Sequence, residues 1–137
     1  MKVLLDTQTI VNYLRTNSSL PTIIQDFVED YDNTCFVSVI SLHEIVIKTA
    51  KNKMRFDYNL TETMEYLEQE GIGIIGLLPS HIQEVEKFEQ YACHKDPFDR
   101  LLIAQCIAEK LTFLTTDTKV PLYQNGDWNI YNMIINH

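Results

Sequence analysis

Four short stretches put carboxylates where the chain changes element: VLLDT carries Asp6, SLHE carries Glu44, DPFDR carries Asp96 and Asp99, and TTDT carries Asp117. Carboxylate oxygens are hard donors and suit Mg²⁺ or Mn²⁺. Several of them gathered without a counter-ion would repel, by about 4 kcal/mol per pair at 4 Å and an effective dielectric of 20. A divalent ion held by such a set polarises a phosphodiester and lowers the pKa of bound water. Each acid also has a purely structural use. Ser41-Leu42-His43-Glu44 has the form of a capping box, and Asp96-Pro97-Phe98-Asp99 reads as N-cap, first helical position and third. Asp6 and Asp117 sit among threonines and suit turns. A charge near a helix N-terminus is worth about 0.3–1 kcal/mol, enough to account for any one of them.

The elements that would position these acids can be read from hydropathy. Lys2–Leu5 predicts a buried strand, followed by a helix capped by Thr7 or Thr9 with Ile10, Val11 and Leu14 as its stripe. Pro21 opens a second helix, with Ile23, Ile24, Phe27 and Val28 at helical spacing through Tyr31. Cys35–Ile40 predicts a strand and Ser41 to about Lys51 a helix. Residues 52–59 form an irregular link, and Thr61–Glu70 a polar helix stopped at Gly71. Ile72–Leu78 is a short strand candidate. Helices follow from Pro79 to about Tyr91 and over Pro97–Lys110; Leu111–Thr115 predicts a strand, and Asp127–Ile135 an edge strand. Short apolar strands alternating with helices predict one α/β domain over residues 1–137, a three-layer αβα sandwich around a parallel sheet. Ligands of such sheets bind at the carboxyl ends of the strands. Asp6, Glu44 and Asp117 fall just past predicted strands, and Asp99 opens the helix that leads into the last one.

Composition narrows the class. The chain has 137 residues, 45% of them hydrophobic, and a net charge of −8. A tight non-specific nucleic-acid binder is usually basic, so phosphate contacts would fall to a few local cations. The three cysteines, Cys35, Cys93 and Cys106, form no disulfide or zinc pattern, and the four histidines are scattered. No apolar run suits a signal peptide or a membrane span, which leaves the cytoplasm as the expected location. "GIGIIG" lacks the lysine of a phosphate-binding loop, and no nucleophile elbow is present.

The stretches VLLDTQTIVNYL, SVISLHEIVIK, HKDPFDRLLIAQC and LTFLTTDTKVPLY resemble, in order, the motifs of PIN-domain proteins, nearest the VapC-like toxin ribonucleases of bacterial toxin–antitoxin pairs. The resemblance spans Lys2 to Tyr123 and assigns the metal acids to Asp6, Glu44, Asp99 and Asp117. It implies Mg²⁺- or Mn²⁺-dependent cleavage of RNA, a homodimer, and an antitoxin whose basic segment blocks the acidic cleft. Thr7 and Thr116, beside those acids, become candidates for holding water or a ligating carboxylate. Lys48 faces the cleft or pairs with Glu44 one turn away. Arg100 meets a phosphate or a surface acid, and Asp96 keeps its capping use. Lys48, Lys51, Lys53, Arg55, Lys95, Arg100 and Lys119 are the cations available to an RNA path, or to solvent. Residues 52–78 match no motif. Two other classes stay open. One is a Mg²⁺-dependent phosphatase with Asp6 as nucleophile, although Gln8 stands where a second aspartate is common. The other is an acidic binding module without catalysis.

Overall fold

In the computed structural model, residues 1–15, 22–87, 96–115 and 130–132 are described. The elements are β1 (Lys2–Leu5), α1 (Thr7–Leu14), α2 (Thr22–Glu29), β2 (Thr34–Ser38), α3 (Val39–Ala50), α4 (Leu60–Gln69), β3 (Gly73–Ile75), α5 (Pro79–Glu86), α6 (Pro97–Glu109), β4 (Thr112–Thr115) and β5 (Ile130–Asn132). The strands form one sheet in the order β3-β2-β1-β4-β5, and every pairing is parallel. The expected αβα architecture is present.

Alternation along the strands builds the two cores. Side chains of successive strand residues point to opposite faces. Val3 and Leu5 of β1, Cys35 and Val37 of β2 and Leu114 of β4 join Ile10, Ile24, Val28 and Leu67 in one cluster. Leu4 and Phe113 face the other way and meet Leu102, Ile103, Ala104 and Cys106 of α6, with Phe36 packed alongside. The helices α1, α2 and α4 thus cover one face, and α6 and α5 the other. Buried on both sides, the strands are continuous apolar runs, which is why the sequence shows no two-residue polarity. A smaller cluster of Val11, Ile45 and Phe56 ties α1 and α3 to the link 51–59. That link is irregular, as expected, and α4 ends where Gly71 takes φ +72°, open to glycine without strain.

Two boundaries differ from the sequence reading. The second strand stops at Ser38, and α3 begins at Val39, two residues before Ser41. The β-branched pair Val39-Ile40 reads as strand, but the Ser38 hydroxyl accepts the Ile40 amide at 3.0 Å and starts the helix there. Likewise Asp6, rather than Thr7 or Thr9, caps α1, accepting from the Thr9 amide at 2.8 Å. The fifth helix is described only to Glu86, and β5 is three residues long at the edge beside β4.

Candidate active site

The strand order runs outward from β1 in both directions, to β2 and β3 on one side and to β4 and β5 on the other. A crevice opens at the carboxyl end of such a switch point. Asp6 stands there, one residue beyond β1, and its amide donates to the Leu114 carbonyl of β4 at 3.0 Å. Its carboxylate is 6% exposed. One oxygen takes the Thr9 amide, and the other accepts from the hydroxyl of Thr115, the last residue of β4. Burying a carboxylate is costly unless it is hydrogen-bonded; here the first turn of α1 and a neighbouring strand supply the donors.

Glu44 is the second buried acid, 4% exposed, in the second turn of α3. The shift of the helix start removes the capping-box explanation: Ser38 does the capping, and Ser41 and Glu44 both face inward. The Thr7 hydroxyl lies 2.6 Å from Glu44 Oε1 and 2.9 Å from Ser41 Oγ. A threonine hydroxyl carries one proton, and the charged carboxylate takes it, so Ser41 supplies the other hydrogen of this chain. Lys48 donates to Glu44 Oε2 and makes the ion pair expected at four residues' spacing. The residue next to Asp6 therefore holds Glu44, and the two buried acids belong to one connected set.

The helix α6 brings the second pair of acids. Asp96 is its N-cap, accepting from the amides of Phe98 at 2.9 Å and Asp99 at 3.3 Å, with Pro97 at the first helical position. Asp99 lies in the first turn, and Arg100 follows it, both partly buried. Lys48 lies in the field of these charges. Burial pushes its ammonium down, but the hydrogen bond and charge of Glu44, with the charges of Asp96 and Asp99, outweigh it and hold the group above the ordinary lysine value. Glu44, Asp96 and Asp99 thus act on one cation between α3 and α6.

Asp6 and Glu44 lie at one rim, and the charge of Asp99 is felt at Lys48, the partner of Glu44. Among the described residues, no three acids, histidines or cysteines converge on one point as a preformed metal cage. Asp117 and Thr116 lie outside the described residues, as do Lys95 and Lys119. The donor set present is hard oxygen, which suits Mg²⁺ or Mn²⁺ and disfavours zinc. Thr115 and Ser41 belong to the site and were not singled out in the sequence. Thr115 carried a signal, being the last strand residue before TTD; Ser41 carried one only for capping.

A family model described as PIN domain matches residues 3–125. No curated protein matches the chain. Several solved structures share the fold. VapBC-1 from nontypeable Haemophilus influenzae aligns at 16% identity and a TM-score of 0.69, over 96% of this chain and 98% of that one. VapBC2 from Rickettsia felis, bound to a DNA fragment from its promoter, aligns at 18% identity and a TM-score of 0.67, over 96% and 98%. FitAcB from Neisseria gonorrhoeae aligns at 19% identity and a TM-score of 0.64, over 96% and 97%.

Proposed function

The chain belongs to the PIN-domain family, and from that premise we propose that it is a metal-dependent endoribonuclease, the toxin of a toxin–antitoxin pair. The observation that carries the reading is the pair of buried, hydroxyl-held carboxylates, Asp6 and Glu44, at the switch point of the sheet. Asp6, Glu44, Asp99 and Asp117 would hold Mg²⁺ or Mn²⁺. When bound, the ion supplies Lewis-acid activation of water and of the phosphodiester.

The protein's own residues do the rest. Thr7 and Thr115 fix the rotamers of Glu44 and Asp6, so neither carboxylate reorganises as charge develops. Lys48 and Arg100, at the same edge, contact the RNA backbone. A toxin–antitoxin complex from Klebsiella pneumoniae shares the fold, and in this reading an antitoxin occupies the acidic rim with a basic segment. A homodimer and a cytoplasmic location complete the proposal; no helix among the described residues is long and apolar enough to cross a membrane.

The test is purified protein on total RNA, with Mn²⁺ or with chelator, and mapping of the cut ends. Internal cuts that need the metal are expected. Asp99→Asn should abolish them while the circular dichroism spectrum and melting temperature stay near wild type, because Asp96 still caps α6. Full cleavage by that variant removes Asp99 from the catalytic set. Phosphate release from a small aryl phosphate with no internal RNA cuts would favour the phosphatase, and no thermal shift with Mn²⁺ the binding module.

A further inference from the structure

The opposite rim of the sheet holds a second arrangement with its own chemistry. A helix that leads into a strand of a parallel sheet ends at the sheet's amino rim, as α2 does before β2 and α4 before β3. The C-terminal ends of α1, α2 and α4 border one cavity of about 260 Å³, lined by Tyr13 and Leu14 of α1, Gln25 in the middle of α2 and Glu29 at its end, Tyr66 and Glu70 at the end of α4, and Tyr58. The rings of Tyr58 and Tyr66 lie 4.7 Å apart, and Phe56 buttresses Tyr58 edge-on at 5.4 Å. Tyr13 donates its phenolic hydrogen to Glu70 Oε2 at 2.9 Å. An adjoining depression shares Tyr13, Glu29 and Glu70 and runs to Asn33 and Thr34, which places the cavity at the start of β2. Along α1 it lies roughly 9 Å from Thr7, six residues at ~1.5 Å each.

Everything around this cavity favours positive charge, and no cation of the described residues lines it. Helix C-termini carry partial negative charge and exposed carbonyls. None of α1, α2 and α4 has a basic residue in its last turn. Glu29 and Glu70 add full charges where the dipoles already disfavour them. Arg15, the C-cap of α1, does not line the cavity, its guanidinium being engaged by the Arg55 carbonyl and, at 3.4 Å, by Asn12 Oδ1. The segment 16–21 that joins α1 to α2 reads TNSSLP and brings no lysine or arginine. Tyrosine faces attract cations, and arginine in particular stacks on them while forking onto a carboxylate.

We infer that this cavity is a binding site for an organic monocation head, a guanidinium or alkylammonium group, seated against Tyr58 and Tyr66 and paired with Glu29 and Glu70. Its volume falls just below the range of whole small-molecule pockets, about 300–1,000 Å³, and suits one side chain or one end of a linear amine. The inference does not rest on the nuclease reading, since no residue of the acidic rim takes part.

The experiment is a nuclear magnetic resonance titration of protein labelled in the tyrosine rings. N-acetyl-arginine amide stands for a protein-borne head, spermidine for a free polyamine, and N-acetyl-glutamine amide for a neutral control. Saturable shifts of Tyr13, Tyr58 and Tyr66 are expected with the cations and not with the control, and the tighter cation names the source. Glu29→Gln with Glu70→Gln should weaken binding about tenfold or more, the scale of a lost charged hydrogen bond. Tyr58→Phe, which keeps the ring, should bind as wild type. None of these exchanges should move RNA cleavage. Absence of saturable shifts with both cations, equal shifts with the control, or full binding by the double variant overturns the inference.

Discussion

The two rims of the sheet are both acidic, yet they treat their acids in opposite ways. At the carboxyl ends of the strands, Asp6 and Glu44 are buried, and each is held by a threonine hydroxyl and a further donor. Asp96 and Asp99 sit at the N-terminus of α6, where the helix favours negative charge. At the amino ends, Glu29 and Glu70 close helices whose dipoles oppose them, and the Tyr13 hydroxyl donates to Glu70. The first rim supplies its buried acids with hydrogen-bond donors, and Glu44 with a lysine, from within the protein. In the inference above, the second leaves its charge to something that binds.

The largest effects should come from the first rim. Asp6→Asn and Glu44→Gln keep shape and hydrogen-bonding capacity while removing charge, and asparagine still caps a helix. RNA cleavage should fall about a hundredfold or more, some 2.7 kcal/mol of barrier, with folding retained. Single-turnover cleavage at saturating Mn²⁺ is the measurement; undiminished rates in both would strip this rim of its special status.

Thr7→Val asks whether the hydroxyl bridge matters in its own right. The substitution is nearly isosteric and leaves Glu44 Oε1 buried without its donor. A loss of about 1–3 kcal/mol in chemical denaturation is expected, the cost of an unsatisfied buried group, with a fall in cleavage alongside. A stability change confined to a few tenths of a kcal/mol would mean that water or Ser41 replaces the bond.

These residues also mark how far the sequence could be read. Asp6 and Glu44 are reached by asking which acids follow predicted strands, and Asp99 as the acid opening the helix before the last strand, because sheet topology dictates where strand ends meet. The αβα layering was legible for the same reason: strands buried on both faces leave unbroken hydrophobic runs. What the two-residue difference in the start of α3 changes is the cap: Ser38 takes it, and Glu44 is left without a capping use. Val39 and Ile40 have strand-like side chains, and only the Ser38 hydroxyl on the Ile40 amide decides for helix. The tyrosine cavity left no trace in the sequence, since Tyr13, Glu29, Tyr58 and Glu70 come from four separate segments that only packing unites.

Lys48→Met removes the cation that answers Glu44. Breaking a buried pair costs several kcal/mol, but Lys48 is 32% exposed and solvent screens part of that. A destabilisation of about 1–2 kcal/mol is expected at neutral pH, and Glu44→Gln in the same chain should recover most of it, because the orphaned charge is then gone. Failure of that rescue would show that Lys48 acts mainly through Asp96 and Asp99.

The smallest effect separates the rims by sign. Glu29 closes α2, and its charge opposes the end of its own helix. Glu29→Gln should be neutral or stabilising by about 0.3–1 kcal/mol at low salt, the scale of a charge at a helix terminus, with the gain shrinking as salt is added. At the first rim, Glu44→Gln should not stabilise while Lys48 is present, because it removes the charge that pairs with that lysine. If Glu29→Gln destabilises instead, its carboxylate has a donor within the protein, as the buried acids of the other rim do, and the cavity has no electrostatic call on a cation.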